Sequence, residues 1–129
     1  MVVDTSALLA VLFMEPEAER FTRAMIAAES RLISAASYLE AAIIVDARRG
    51  PEAGRDLDEF VDRIGLSVEP VTRDQARIAR QAYRSYGRGN HPAGLNFGDC
   101  FAFALAVASG QPLLFKGVDF AHTDLAPAV

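Results

Sequence analysis

Four carboxylates, Asp4, Glu40, Asp99 and Asp119, stand where the chain passes from one kind of run to another. Asp4 closes Met1-Val-Val and opens Thr5-Ser-Ala-Leu, and Asp119 follows the apolar segment ending at Phe115 in a similar way. Asp99 lies at the head of the apolar stretch 97–109, and Glu40 lies in the first turn of Ser37-Tyr-Leu-Glu-Ala-Ala-Ile-Ile. In parallel α/β sheets, ligands gather outside the carboxyl ends of the strands. Asp4 and Asp119 have that address. Four such acids brought to one crevice make a hard, oxygen-only site for Mg²⁺ or Mn²⁺. Two such ions about 3.5–4 Å apart are the usual device for in-line displacement at phosphorus.

Each acid also has an ordinary structural reading. Asp4 before Thr-Ser-Ala-Leu is a good N-cap. Glu40 completes a capping box, Ser37-x-x-Glu40, and Asp99 suits the positive end of a helix dipole. The ordinary reading is weakest for Asp99. Asn96 already supplies a cap there, and Phe101 to Ala106 make the helix apolar on nearly every side. A carboxylate at the start of a buried helix needs a partner or a metal. Thr5 and Ser6 either orient a ligating carboxylate or its water from behind or simply cap a helix. His91, in a Gly-rich loop, and His122, in a polar turn, read as surface histidines.

The acids must be positioned by elements, and the order of elements is regular. Val2–Val3 reads as a short buried strand and the apolar run to Phe13 as a helix. A second helix is expected from Pro16 to about Glu29, a strand over Arg31–Ser34, and a third helix opening at Ser37 and stopping at Arg48-Arg49-Gly-Pro. A fourth helix follows over Glu52–Ile64, then a strand over Ser67–Val71 with Pro70 at its end or on an edge. Thr72 caps a fifth helix to Tyr86, 87–94 is a loop, and Asn96 caps a sixth helix to Ser109. Gln111–Phe115 reads as a fourth strand and Asp124-Leu125 as a fifth. Strands separated by helices suggest parallel βαβ units. The expectation is one α/β domain spanning 1–129.

Composition narrows the chemistry. The chain has 129 residues, 51% hydrophobic and 23% charged, ordinary values for a globular domain. One cysteine, Cys100, and two histidines exclude an internal disulfide and a zinc cage of soft ligands. A reducing cytoplasm is the natural setting. No apolar run approaches the ~20 residues that span a bilayer, and with Asp4 interrupting the start no signal peptide is expected. The net charge of −4 speaks against a general nucleic-acid coat. It fits an acid cluster whose charge a bound metal offsets.

Basic residues supply a second pattern. Arg73, Arg77, Arg80 and Arg84 recur on one face of the fifth helix, with Arg88 beyond. Such a stripe can neutralise phosphates along an RNA strand or be a solvated face. Lys116, beside the expected site, is a further candidate for touching RNA. The first two helices, apolar along Leu8, Leu9, Val11, Leu12 and Phe13, offer a dimer face, a partner groove or plain core packing.

Four segments together carry a resemblance. They are Val-Val-Asp-Thr-Ser-Ala-Leu at the start, Glu40, Leu-Asn-Phe-Gly-Asp-Cys-Phe-Ala at 95–102, and Leu-Leu-Phe-Lys-Gly-Val-Asp-Phe at 113–120. With these, in this order across the whole chain, the sequence resembles the PIN-domain family, and within it the VapC-type toxins of bacterial toxin–antitoxin pairs. The resemblance implies a three-layer α/β/α fold with a central, mainly parallel sheet of four to five short strands. It implies Mg²⁺- or Mn²⁺-dependent endoribonuclease activity, a homodimer, and neutralisation by a small cognate antitoxin. By position Asp4, Glu40 and Asp99 match the family's metal-binding acids. Many members carry a further acid two to three residues before the final Asp-Phe. Here Lys116, Gly117 and Val118 occupy those places, which leaves Asp119 alone for the fourth role and implies a weaker metal site.

Two rivals follow. One is a PIN-like module that has lost catalysis and only binds antitoxin or RNA. The other is a phosphoryl-transfer domain with Asp4 as nucleophile, which would want a second Asp two residues later, where the chain has Ser6.

Overall fold

The computed structural model describes residues 1–129. Four parallel strands, β1 (Val2–Val3), β2 (Leu32–Ser34), β3 (Ser67–Glu69) and β4 (Leu113–Leu114), lie in the order β3-β2-β1-β4. Successive residues of a strand face opposite sides of a sheet, and this sheet obeys that rule closely. Val3 and Leu114 join one core cluster, with Leu8, Phe21, Met25, Ile33, Val45 and Leu57. Val2 and Leu113 join a second, with Ala82, Leu95, Phe103 and Leu105. Both faces are therefore covered, which makes three layers.

One outer layer holds α1 (Thr5–Leu12), α2 (Ala18–Ala27), α3 (Ala35–Arg49) and α4 (Pro51–Ile64). The other holds α5 (Arg73–Tyr86) and α6 (Phe97–Ser109). The apolar stripe of α1 is mainly core, since Leu8 and Leu9 are buried, so burial accounts for the inner part of that face. Phe13 is covered by the guanidinium groups of Arg48 and Arg49, 5.3 and 4.6 Å from its ring centre. The basic last turn of α3 thus packs back onto the end of α1.

Several expected boundaries move, with β3 ending at Glu69 rather than Val71 and β4 shrinking to Leu113–Leu114. The cap of α3 is Ser34, whose hydroxyl accepts the Ala36 N–H, so Ser37 lies inside the helix and no Ser37–Glu40 capping box forms. The second helix stops at Ala27 rather than Glu29. The fifth strand is absent. A single parallel bridge joins Leu113 to Pro127 instead, made by the Leu113 N–H to the Ala126 carbonyl and the Ala128 N–H to the Leu113 carbonyl. No helix is long and apolar enough to cross a membrane.

Candidate active site

Asp4 follows β1 directly and is the N-cap of α1. Its N–H still donates to the Leu114 carbonyl at 2.9 Å, extending the strand ladder by one bond. Its Oδ2 accepts the Ser6 N–H at 3.0 Å and the Ser6 hydroxyl at 2.6 Å. The Ser6 Oγ in turn accepts the Lys116 N–H at 2.9 Å. One serine therefore ties the turn after β1 to the turn after its neighbour β4. Thr5 does something else. Its hydroxyl donates to the Ser37 carbonyl at 3.0 Å, so it anchors α1 to α3 and does not contact Asp4.

Asp99 sits in the first turn of α6. It shares a capping box with Asn96: the Asn96 Oδ1 accepts the Asp99 N–H at 2.9 Å, and the Asp99 Oδ2 accepts the Asn96 N–H at 3.0 Å. The Asn96 cap therefore does not leave Asp99 uncommitted, as the sequence suggests. It holds one oxygen and fixes the orientation of the other. Glu40 extends from α3 to the same helix start. A Cβ built on Gly98 would lie 2.6 Å from the Glu40 Oε2 and 3.2 Å from its Cδ. The carboxylate occupies the space that a side chain at position 98 would need. Asp119 is exposed, just before the short 3-10 turn Phe120–His122.

The electrostatics join these acids. Burial pushes the Asp4 carboxyl up to about 6; the two Ser6 hydrogen bonds oppose this, and the charges of Asp99 and Glu40 add to it. Asp99 is also raised, chiefly by burial, with Asp119 and Glu40 contributing and the Asn96 N–H opposing. The charges of all four sequence-predicted acids thus meet across the carboxyl ends of β1 and β4 and the start of α6. As placed, their side chains gather no three ligands around a single point. Glu40 and Asp119 are on exposed side chains, and these are the two with freedom to turn. The donors are all carboxylate oxygens, and the raised Asp4 carboxyl marks a buried charge that a neighbouring cation would relieve. The set fits a hard divalent ion.

Lys116 is engaged within the chain. Its ammonium pairs with Glu15 and, at 3.3 Å, with Glu17. The turn that delivers Glu15 is unusual, with non-glycine Met14 at φ 54°. It closes α1 by bonds from the Met14 N–H to Val11 and from the Glu15 N–H to Ala10, a Schellman ending in which glycine is the usual residue. Of the arginine stripe, Arg77 pairs loosely with Asp74 at 3.8 Å, whereas Arg80 and Arg84 line a groove beside α6. Arg73 is exposed near the start of α5 and does not line it. His122 is exposed, and His91 is half-buried, its Nδ1 accepting the Ala93 N–H. Cys100 is buried, its thiol donating to the Asn96 carbonyl at 3.3 Å and pushed up by burial. Gly98 escapes the sequence reading. Its signal is a glycine within a helix, normally a cost of about 1 kcal/mol, immediately before the key acid.

The family model of the PIN domain matches residues 1–125. The chain belongs to the PIN-domain family. This PIN domain is 57% identical over 126 residues to VapC ribonuclease Mb0640 of Mycobacterium bovis, covering 98% of this chain and 96% of that protein. It is 51% identical over 130 residues to Ribonuclease VapC28 of Mycobacterium tuberculosis, covering 100% and 98%. Among solved structures, VapC20 of M. tuberculosis, described as a Sarcin-Ricin loop cleaving toxin, superposes with a TM-score of 0.77 at 18% identity, covering 97% of this chain and 95% of that one. A toxin-antitoxin complex from Klebsiella pneumoniae gives 0.71 at 16% identity, covering 95% and 92%. At these identities the two structures speak for the fold, and the parallel sheet between helical layers agrees with them.

Proposed function

We propose that this PIN domain is a Mg²⁺- or Mn²⁺-dependent endoribonuclease of the toxin kind, cutting single-stranded or structured RNA. The observation that carries the reading is the convergence of the Asp4, Glu40 and Asp99 charges at one end of the sheet. Near full-length relatives named VapC ribonucleases support the substrate class. Asp4 and Asp99 would hold the cation, with Glu40 and Asp119 completing the set. A divalent ion there supplies an activated water and offsets charge on the phosphoryl group.

The chain's own residues do the remainder. Ser6 fixes one Asp4 oxygen and leaves the other without a side-chain hydrogen bond. The Asn96 amide does the same for Asp99. Gly98 leaves the space in which the Glu40 carboxylate rests. A homodimer and a small antitoxin belong to the same reading through the family resemblance, as does a cytoplasmic setting. The alternative, a module that only binds RNA or antitoxin, draws on Lys116 standing near the place of an acid and being engaged with Glu15 and Glu17.

Cleavage of single-stranded RNA with Mn²⁺, with and without EDTA, separates the two. Asp99→Asn keeps an oxygen for the capping box, so its fold should persist while cleavage falls at least a hundredfold, on the order of losing one essential catalytic group. Intact RNA with the wild-type chain, or unchanged cutting by Asp99→Asn, would sink the enzymatic reading.

A further inference from the structure

Between α5 and α6 runs an open groove of about 650 Å³. Ala76 and Ala79 keep its floor low, and Arg80, Tyr83 and Arg84 form the α5 wall. Phe97 and Phe101 form the other wall, with ring centroids 4.9 Å apart and planes at 87°. Phe97 remains 79% exposed and Tyr83 42% exposed. No acidic residue lines the groove, and neither Arg80 nor Arg84 has an ion-pair partner among the four pairs of the chain. Phe97 and Phe101 also line the neighbouring hollow that holds Glu40 and Gly98, which brings this wall of the groove up to the acid site.

We infer that this groove is a stacking subsite for unpaired bases of an RNA strand, leading that strand to the carboxylates at the head of α6. The inference rests on the ribonuclease reading. Single strands are held where aromatic faces stack on bases and cations follow the backbone, and unpaired bases are commonly taken on aromatic side chains. The lining has both parts. An apolar protein surface would leave two guanidinium groups without counter-charge, a costly arrangement when buried. Phosphates supply that charge. The acids at the end of the groove would repel RNA on their own, so a cationic stretch beside them is also what the strand needs in order to approach.

The test is fluorescence anisotropy with a short labelled single-stranded RNA in EDTA, where binding is read without cleavage. Tyr83→Ala should weaken binding about tenfold, the scale of one lost base stack, and Tyr83→Phe should restore it. Arg80→Gln with Arg84→Gln should lower the slope of log affinity against log salt by about 1.4, at roughly 0.7 per phosphate contact on a single strand. Light scattering on the same proteins and Mn²⁺-dependent cleavage by the wild type accompany the titration. Wild-type affinity and salt slope in both variants would overturn the inference, and if the wild type still cleaves RNA the ribonuclease reading survives alone. Variants that change the assembly state while binding RNA normally would overturn it too, assigning the groove to a protein contact. A wild type that neither binds nor cleaves RNA would remove the ribonuclease reading and the inference with it.

Discussion

Asp4 carries two roles that look like alternatives in the sequence and coexist in the structure. It caps α1 through one oxygen and belongs to the acid group through its burial and neighbours. That double duty has a thermodynamic signature. Its carboxyl is raised from 3.8 to about 6. Between those values the folded chain keeps a proton that the unfolded chain has released, so stability falls as pH rises through the window. Below it the penalty is absent; above it the penalty is complete. At about 1.4 kcal/mol per pH unit, keeping Asp4 ionised destabilises the metal-free protein by about 3 kcal/mol at neutral pH. Asp4→Asn keeps an acceptor for Ser6 and removes the charge. It should raise the melting temperature at neutral pH by several degrees, leave it nearly unchanged at pH ~4, and abolish cleavage. Thermal melts at the two pH values check this, and a variant less stable at neutral pH would contradict it. On the proposed reading, Asp4 trades stability for chemistry.

The elements deliver the acids by junctions more than by their interiors. β1 passes into α1 at Asp4, Asn96 opens α6, and Ser6 bonds across to the turn after β4. Much of this was legible. The Asn96 and Thr72 caps, the strand at Leu32–Ser34 and the helix 97–109 all follow from residue types with local preferences. What was not legible has non-local causes. Ser34 and Ser37 are equally good caps in sequence, and the buried end of β2 decided between them. The Lys116 ammonium is drawn to Glu15 and Glu17 by an α1–α2 turn that depends on Met14 taking a left-handed conformation. The importance of Gly98 requires α3 and α6 to meet. Gly98→Ala tests that meeting. The added Cβ would displace the end of an exposed, flexible glutamate rather than backbone, and alanine favours a helix by about 0.5–1 kcal/mol over glycine. The variant should melt no lower than wild type and cleave RNA at least tenfold more slowly, roughly the effect of misplacing a catalytic group. Full activity would mean the Glu40 carboxylate does not need that space.

At the scale of the whole molecule, the sheet separates two cores and gathers chemistry at one end, while an apolar surface continues beside it. Leu39 and Ile43, each 58% exposed and four residues apart on α3, line a second groove against Phe97 and Phe101. An exposed apolar face of this kind marks an interface; we propose that Leu39 and Ile43 alone seat a second copy of the chain, leaving Glu40, Phe97 and Phe101 of the same groove to the acid site and the RNA strand. Ile43→Glu should convert a dimer to a monomer in size-exclusion chromatography with light scattering; a wild-type chain that is monomeric at micromolar concentration would reject the dimer. The proposed chemistry requires that acids from positions 4, 40, 99 and 119 form one cation site. Titration with Mn²⁺ at neutral pH, followed by loss of the free-ion electron paramagnetic resonance signal, measures that site without any RNA. Saturable binding by the wild type should be lost in Asp4→Asn and Asp99→Asn and weakened in Glu40→Gln and Asp119→Asn. No binding by the wild type, or undiminished binding in both Asp4→Asn and Asp99→Asn, would contradict it.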